Sequence, residues 1–400
     1  MIDQSELPLE LVRDFQVFLN YIDEEKVTLT KTKGYMQRKH CYELNQRFEV
    51  QNTGVTEKND QIYYPRVHLF YYLALNGKLM TRKGNRLALL DRVTEFNRFS
   101  DVEKYFFLLE TLWVDTDWMV FTEHEEAVYE SVIDACGGVL SQPPEQEIEV
   151  TWGRFAGSLF QMGQMVSVLS YFGLWNYTLL EKMEPFKQNI HPASIQTTKV
   201  GGKLLETLLL TRPVSVWNVP ARKREGEWLV NPGRYPEEGN SLIFVEDMAT
   251  QDYGLHFFYG NGEEQFMDRF QDLIETDDLK QTFPREVEEL FQGTYTFRLK
   301  HGKSTIRIQC YSILTMADLH DVIQQAYELP DGHLYSFFMT GKAWTEPSID
   351  SPEEWALKPS ADEVLLGETG LKQGDTILYI YDYGEGWRVM IKVEEMVEDS

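Results

Sequence analysis

The stretch Tyr379-Ile380-Tyr381-Asp382-Tyr383-Gly384-Glu385-Gly386-Trp387 decides the fold of the last quarter of the chain. The residues that lead into it are mostly β-branched or aromatic, and the residues that follow place Val389, Ile391 and Val393 on one face of a strand. A short loop, residues 384–386, joins the two runs, and such loops need positive φ at one or more positions, which glycine adopts readily. The stretch therefore predicts an antiparallel β-hairpin.

Upstream of this hairpin, the pattern predicts a second hairpin followed by a helix. Residues 294–299 and 305–310 alternate as strands do, around a turn at residues 301–303. Thr315 and Asp318 have the spacing of a capping box, and apolar residues then recur at helical spacing up to Tyr327. We therefore expect an α+β domain over residues 293–395, in which the helix packs on the sheet.

Three stretches of this domain, residues 314–320, 331–337 and 379–387, resemble the signature blocks of the plasmid pRiA4b ORF-3-like family, in the family's order. The resemblance implies an α+β fold, an occurrence in mobile or plasmid-borne contexts, and no established activity. Two positions depart from the family's pattern, because Arg307 lacks the tryptophan that usually accompanies it and Val389 replaces a histidine. The block residues that the resemblance singles out are Leu319, His320, His333, Tyr381, Asp382, Tyr383, Gly384, Gly386 and Trp387.

The first half of the chain contains helical patterns and a weak internal repeat. Residues 9–22 carry apolar side chains at helical spacing, and we predict a helical lead segment over residues 1–60. Farther on, an apolar stretch at 69–75 leads to Thr81-Arg82-Lys83-Gly84-Asn85-Arg86-Leu87. A second apolar stretch, at 166–172, leads to Thr198-Lys199-Val200-Gly201-Gly202-Lys203-Leu204, so both copies end in Thr-x-x-Gly-x-x-Leu.

An apolar helix, a glycine that ends it, a short strand and a threonine able to cap the next helix are typical of half a winged-helix unit. We therefore predict two winged-helix-like modules, at residues 61–140 and 145–215, then a structured connector at 216–292 and the C-terminal domain. The predicted fold class is α+β and multidomain, with mainly helical N-terminal modules. The alternative is that so short a motif recurs by chance.

The composition of the 400-residue chain limits where it acts and what it binds. Its 38 lysines and arginines against 64 aspartates and glutamates give a formal net charge of −26, so any contact with nucleic acid needs a local basic patch. The N-terminus is acidic where a signal peptide is basic, and no apolar run approaches the roughly 20 residues that span a bilayer. The three cysteines lie far apart. We expect a cytoplasmic protein with reduced thiols and no membrane contact.

Two local basic groups are candidates for binding nucleic acid. The first lies at a predicted wing or helix start, where winged helices contact phosphates, and the second follows the second predicted module. The alternative, which we favour, is that both are solvated charges that offset nearby acids. Their members are Arg82, Lys83 and Arg86 in the first group, and Arg222, Lys223 and Arg224 in the second.

No catalytic constellation or cofactor motif stands out. His320, His333 and Asp382 are residue types that bind zinc or iron, but two histidines without a third more often satisfy hydrogen bonds, so no metal site is predicted. Residues 302–305 match the end of a phosphate-binding loop, yet Phe297 occupies the position of its first glycine. No cofactor is therefore predicted.

Three functions remain open at this point. The leading hypothesis is a non-enzymatic cytoplasmic binding protein that contacts a protein partner, in a mobile-element or regulatory setting. The second is a DNA-binding transcriptional regulator that uses the winged-helix modules and the basic groups. The third is an enzyme of unknown class with a site around His333 and Asp382. The sequence leaves the oligomeric state open.

Overall fold

The computed structural model describes residues 2–399 except 124–126, 144, 152, 181–189, 235–263 and 353–357. Contacts divide the chain into two compact units. The N-terminal unit comprises Met1–Asn218 and Ile243–Pro284, and the C-terminal unit comprises Val219–Leu242 and Arg285–Ser400. The predicted connector at 216–292 is thus shared between the two units, and its residues 235–263 lie outside the described residues.

The chain combines helices with mostly antiparallel sheets, which confirms the α+β class. The helices are α1 (Glu10–Glu24), α2 (Arg38–Arg47), α3 (Pro65–Asn76), α4 (Arg92–Phe96), α5 (Asp101–Glu110), α6 (Trp118–Thr122), α7 (Val128–Leu140), α8 (Arg154–Gln161), α9 (Met165–Tyr171), α10 (Lys199–Thr211), α11 (Val214–Trp217), α12 (Val219–Arg224), α13 (Asp268–Gln271) and α14 (Met316–Tyr327). The strands are β1 (Ile2–Asp3), β2 (Met80–Lys83), β3 (Arg86–Leu89), β4 (Glu147–Glu149), β5 (Trp175–Leu179), β6 (Pro192–Thr197), β7 (Ile274–Glu275), β8 (Gly293–His301), β9 (Ser304–Tyr311), β10 (Tyr335–Phe338), β11 (Ser348–Asp350), β12 (Thr376–Tyr381) and β13 (Trp387–Glu398). Among the described residues, no helix has the length and apolar character needed to cross a bilayer.

The first helices form where the sequence predicts them and are fixed by a buried ion pair. The apolar side chains of α1, including Phe15 and Phe18, are buried, as its helical pattern requires. Arg66 Nη1 of α3 lies 2.6 Å from Asp14 Oδ2 of α1, and both side chains are almost fully buried. Asp14 also accepts a hydrogen bond of 2.6 Å from the backbone N–H of Glu49, so its buried charge is well satisfied.

Two small sheets of the N-terminal unit share one construction. β2 and β3 form an antiparallel hairpin, and Thr28, before α2, bridges to Arg86 of β3. The second sheet has the strand order β4-β6-β5, and β5 and β6 are antiparallel. In each case an extended segment that precedes two helices, the isolated bridge at Thr28 or strand β4, pairs with the last strand of the following hairpin.

The two copies of Thr-x-x-Gly-x-x-Leu adopt different structures. Thr198 caps α10, because its Oγ1 accepts a hydrogen bond of 2.7 Å from Gly201 N. Thr81 instead lies inside β2, and Gly84 occupies the hairpin turn with φ of 63°. The prediction that the first threonine caps a helix is therefore wrong, because residues 80–83 pair across the hairpin with residues 86–89.

Residues 264–284 complete the N-terminal unit late in the sequence. β7 pairs in parallel with β1, at the start of the chain. The ring of Phe270 lies 5.0 Å from that of Phe106, and the ring of Phe283 lies 4.8 Å from that of Phe99. This segment therefore supplies core aromatic side chains to elements formed much earlier in the chain.

The C-terminal unit is built on an antiparallel six-stranded sheet in the order β11-β10-β12-β13-β8-β9. Both predicted hairpins are present, as β8–β9 and β12–β13. The predicted capping box at the start of α14 is confirmed, because Thr315 and Asp318 exchange side-chain to backbone hydrogen bonds. Leu319 and Ile323 of α14 pack in one core with the sheet.

The two faces of this sheet differ in chemistry because successive strand residues point to opposite sides. The inner face, toward α14, is apolar and includes Phe297, Tyr379 and Ile391. The outer face, directed away from α14, is polar and basic on β8, β9 and β13. Its residues are Thr296, Arg298 and Lys300 of β8, Thr305, Arg307, Gln309 and Tyr311 of β9, Leu378 and Ile380 of β12, and Arg388, Met390 and Lys392 of β13.

Candidate binding surfaces

His320, from the first family-like block, is held between tyrosines of the inner face. Its ring stacks on Tyr335 with centroids 3.8 Å apart, and its Nδ1 lies 2.7 Å from the hydroxyl oxygen of Tyr379. Burial lowers the pKa of His320 and raises the pKa of Tyr379, so the tyrosine hydroxyl donates to a neutral imidazole. This arrangement satisfies a core hydrogen bond and holds α14 on the sheet.

His333 and Asp382, from the other two blocks, face each other at the surface. His333 Nδ1 lies 3.5 Å from Asp382 Oδ2, and the His333 side chain is 44% exposed. The other carboxylate oxygen, Oδ1, accepts hydrogen bonds from the backbone N–H groups of Gly384 at 3.0 Å and Glu385 at 3.3 Å. Asp382 thereby fixes the turn between β12 and β13, where it has φ of 50° and Gly386 has φ of 67°.

The remaining family-like residues shape the same end of the sheet. Tyr381 donates its hydroxyl to the carbonyl oxygen of Pro330, and Trp387 contacts the ring of His301 at 5.1 Å. The hydroxyl oxygens of Tyr383 and Ser336 lie 2.7 Å apart. Within the described ranges, no group of three or more His, Cys, Asp or Glu is placed to hold a metal ion. The contacts of the family-like residues described here stabilise the fold of the C-terminal domain.

The basic residues of the outer face do not stand out in the sequence, because they do not form a consecutive run. Strand register places Arg298 of β8 directly opposite both Arg307 of β9 and Lys392 of β13. An open groove of about 650 Å³ runs along these three side chains and Glu394. Glu394 forms ion pairs with Arg298 at 3.3 Å and with Arg307 at 2.6 Å. Period-two alternation in residues 294–311 is the sequence signal that places Arg298 and Arg307 on one face.

The first predicted basic group lies on the β2–β3 hairpin. Arg82, Lys83 and Arg86 are all exposed there, close to the turn at Gly84. Arg82 is partly engaged, because its Nε donates a hydrogen bond of 2.8 Å to the hydroxyl of Tyr71. The register places Lys83 directly opposite Arg86 on one side of the hairpin, whereas Arg82 pairs with the buried Leu87 and points to the other side.

The second predicted basic group is largely built into the C-terminal unit. Arg222 is buried, and its guanidinium donates to the Glu227 carboxylate and to the Asn231 carbonyl oxygen. Lys223 Nζ lies 3.2 Å from Glu288, and Arg224 is half-buried. These contacts support a structural role, since Arg222 presents no exposed face to a phosphate.

Comparison with known proteins identifies a family that the C-terminal domain matches. Residues 296–400 match the sequence model of the plasmid pRiA4b ORF-3-like proteins. The uncharacterized protein y4hQ of Sinorhizobium fredii (strain NBRC 101917 / NGR234) is 35% identical over 86 residues, which cover 20% of this chain and 41% of that protein. The chain thus spans less than half the length of this curated relative.

A solved structure, that of a protein of unknown function, MM3350 from Methanosarcina mazei Go1, is 27% identical. The alignment covers 28% of this chain and 64% of that chain, with a TM-score of 0.23. The residues that match the family's sequence model begin within β8 and contain all three family-like blocks. Residues 296–400 of this chain therefore form a domain of the plasmid pRiA4b ORF-3-like family.

Proposed function

We propose that this chain is a non-enzymatic cytoplasmic binding protein that works through contact with a protein partner, in a regulatory or mobile-element setting. In this proposal the N-terminal unit holds two winged-helix modules that act as a packed scaffold. Winged helices serve as interaction scaffolds as well as DNA readers, so the choice rests on which surfaces they expose.

The order of elements supports the two modules. The first has helix α1, the short strand around Thr28, helices α2 and α3, and the hairpin β2–β3. The second repeats this order with α7, β4, α8, α9 and the hairpin β5–β6. The proposed modules then span residues 10–89 and 128–197, and both begin earlier than the sequence pattern suggests, because each includes the helix before its first strand.

The observation that carries the proposal is the burial of the helix that precedes each hairpin. In DNA-reading helix-turn-helix proteins this helix lies in the major groove and needs an exposed face. In α3, nine of the twelve residues are buried, and in α9 five of the seven are buried. Base reading by either helix would therefore require the unit to open, whereas a scaffold role requires no change.

The hairpin of the second module offers a surface for a partner. Leu179, the last residue of β5, is 53% exposed, and the following Leu180 is also exposed. Adjacent exposed leucines are more useful at a protein interface than in solvent. We therefore assign the partner contact to this hairpin.

The test is quantitative affinity capture from nuclease-treated lysate of the native host, with the full chain as bait. The wild type is compared with Leu179→Asp and with the matched control Leu90→Asp, which alters an exposed leucine after β3. We expect a protein that the wild type and Leu90→Asp retain and that Leu179→Asp loses. Equal retention by all three chains would remove this hairpin as the contact, and an empty capture would argue against a protein partner.

A DNA-binding regulator is the second candidate, and the exposed charges of the β2–β3 hairpin favour it. Winged helices often contact phosphates through this hairpin. Anisotropy titration with duplex DNA, with the wild type and the Arg82→Gln/Lys83→Gln/Arg86→Gln variant, separates the two candidates. Salt-dependent binding that the variant loses would favour the regulator, and an absence of binding at low salt would leave the protein partner.

A further inference from the structure

The outer face of the C-terminal sheet concentrates positive charge in a strongly acidic chain. Residues 293–400 contain nine lysines and arginines. Five of these stand on the outer face, although the net charge of the whole chain is −26. The five are Arg298, Lys300, Arg307, Arg388 and Lys392. Charge of one sign gathered on one face creates a local field opposite to that of the whole chain.

The register of the strands makes this arrangement costly in the absence of a ligand. Lys392, Arg298 and Arg307 lie directly opposite one another on three neighbouring strands, and like charges in such pairs destabilise a sheet. Glu394 offsets part of this repulsion through its contacts with both arginines. Among the carboxylates that the structure describes, none forms an ion pair with Lys300, Arg388 or Lys392. The face therefore retains cationic groups that an anionic ligand would stabilise.

The dimensions of the basic face suit a chain of phosphates. Neighbouring strands are about 4.8 Å apart, so the three strands span about 10 Å. Arg388 and Lys392 are four residues apart along β13, which is about 14 Å in an extended strand. A stacked nucleic-acid strand advances about 3.4 Å per nucleotide, so this length covers about four nucleotides.

Exposed aromatic rings flank the basic residues. Tyr311 lies on the outer face of β9 and is 63% exposed, four residues after Arg307. Near the opposite edge of the sheet, Trp344 is 61% exposed. Its ring contacts those of Phe338 and the exposed Tyr383, with centroid distances of 5.4 Å and 5.3 Å. Trp344 has φ of 60°, an uncommon conformation for a residue other than glycine. Unpaired bases stack on such rings, and this contact requires no particular sequence.

We propose that the outer face of the pRiA4b ORF-3-like domain binds single-stranded nucleic acid, with the basic residues on its phosphates and the aromatic rings on its bases. The aromatic rings distinguish this ligand from the two other polyanions that the charge would attract. A duplex keeps its bases stacked inside, and an acidic peptide has no flat rings to stack. The acidic groups beside the basic face are Glu394 and Glu395 at the groove, Glu385 in the β12–β13 turn, and Glu398 at the end of β13. Phosphate competes with Glu394 for the two arginines.

The test is an anisotropy titration of the full chain with labelled oligothymidylate and oligouridylate of about 16 nucleotides. Labelled duplex DNA and labelled polyglutamate are titrated separately for comparison. Each titration is run at low and at moderate salt. The charge variant is Arg298→Gln/Arg307→Gln/Lys392→Gln. Its matched control, Lys31→Gln/Lys39→Gln/Lys58→Gln, removes three exposed charges of the N-terminal unit.

We expect single strands to bind in a salt-dependent manner. The charge variant lowers the affinity by about tenfold or more and reduces the slope of log affinity against log salt by about 2, because each lost phosphate contact contributes about 0.7. Trp344→Ala lowers the affinity by about tenfold with little change in this slope. Glu394→Gln strengthens binding, since it leaves both arginines to the phosphates. The control variant binds as the wild type does, and circular dichroism confirms that all variants are folded.

Four results would overturn the proposal. These are no binding of single strands at low salt, equal losses in the charge and control variants, a preference for the duplex, and binding of polyglutamate in place of the oligonucleotides. The last result would assign the outer face to an acidic protein segment. Weaker binding by Glu394→Gln would likewise contradict the predicted competition.

Discussion

Gly201 and Gly202 are adjacent in α10, yet alanine should affect stability in opposite directions at the two positions. A Cβ atom added to Gly201 would lie 1.8 Å from the carbonyl oxygen and 2.4 Å from the carbonyl carbon of Leu174. The same atom on Gly202 would lie 3.7 Å from Thr197 Cγ2, which is an ordinary contact. The backbone at Leu174 would have to move by about 1.5 Å to admit Gly201→Ala.

The magnitudes follow from packing and helix propensity. Alanine is more favourable than glycine inside a helix by about 1 kcal/mol, and Gly202→Ala should raise the free energy of unfolding by about 0.5 to 1 kcal/mol. Overpacking against backbone costs about 1 to 3 kcal/mol or more, so Gly201→Ala should lower that free energy by about 2 kcal/mol despite the gain in propensity. The two variants should therefore differ by about 3 kcal/mol.

The assay is urea-induced unfolding of both variants, with hydrogen exchange of peptides from α10 to identify the transition of the N-terminal unit. Gly202→Ala serves as the matched control, because it makes the same chemical change one residue away. Equal stabilities of the two variants would refute the argument, since they would mean that the approach of Leu174 to α10 is not tight. A more stable Gly201→Ala would refute it outright.

Three further predictions concern the pH response, the family-like turn and the thiols. Burial lowers the pKa of His68 to about 4, and its Nε2 lies 2.9 Å from the carbonyl oxygen of Phe121. The unfolded chain then binds more protons than the folded one between about pH 6.5 and pH 4, so the N-terminal unit should lose about 3 kcal/mol of stability as pH falls through that range. Urea unfolding at several pH values should show this loss in the wild type and not in His68→Gln, and identical pH profiles would contradict it. Asp382→Ala should lower the stability of the C-terminal domain by about 1 kcal/mol or more, because two backbone N–H groups lose their acceptor, whereas the exposed His333→Ala should leave the melting curve unchanged. Equal losses would instead assign the stability to the His333–Asp382 pair. Burial raises the pKa of all three thiols, so a thiol reagent should label the native protein very slowly and label it fully in urea; rapid native labelling would contradict the burial of Cys41, Cys136 and Cys310.

The C-terminal domain was the more predictable part because its signals are local. The capping box of Thr315 and Asp318 and the short turn around Gly386 each lie within a few residues, so sequence spacing alone identifies them. The basic outer face was not predicted, because Arg298, Arg307 and Lys392 meet only through the register of three strands. Residues on separate strands become neighbours only after the pairing is known.

The repeat in the first half was less predictable, because a motif of seven residues does not determine its own secondary structure. Thr198 caps a helix, as the motif suggests, whereas Thr81 belongs to a strand. The two copies differ in their pairing: residues 86–89 pair with β2, whereas the second copy begins α10, which continues for thirteen residues with a buried apolar face. Helix α3 and helix α9 were predicted correctly, but their nearly complete burial depends on partners distant in sequence.

The parallel pairing of β1 with β7 has a consequence for the order of events during synthesis. Strand β1 cannot pair until the ribosome has synthesised β7, which ends at Glu275. Phe270 and Phe283, which pack on earlier helices, are synthesised at about the same stage. A nascent chain that stops at Asn218 therefore exposes the aromatic surface that residues 264–284 later cover. Residues 219–234, which belong to the C-terminal unit, must also be synthesised before the N-terminal unit can complete its fold. Because each unit is built from two separate segments, a single proteolytic cleavage cannot release either unit intact. A nascent chain truncated at Asn218 should bind chaperones.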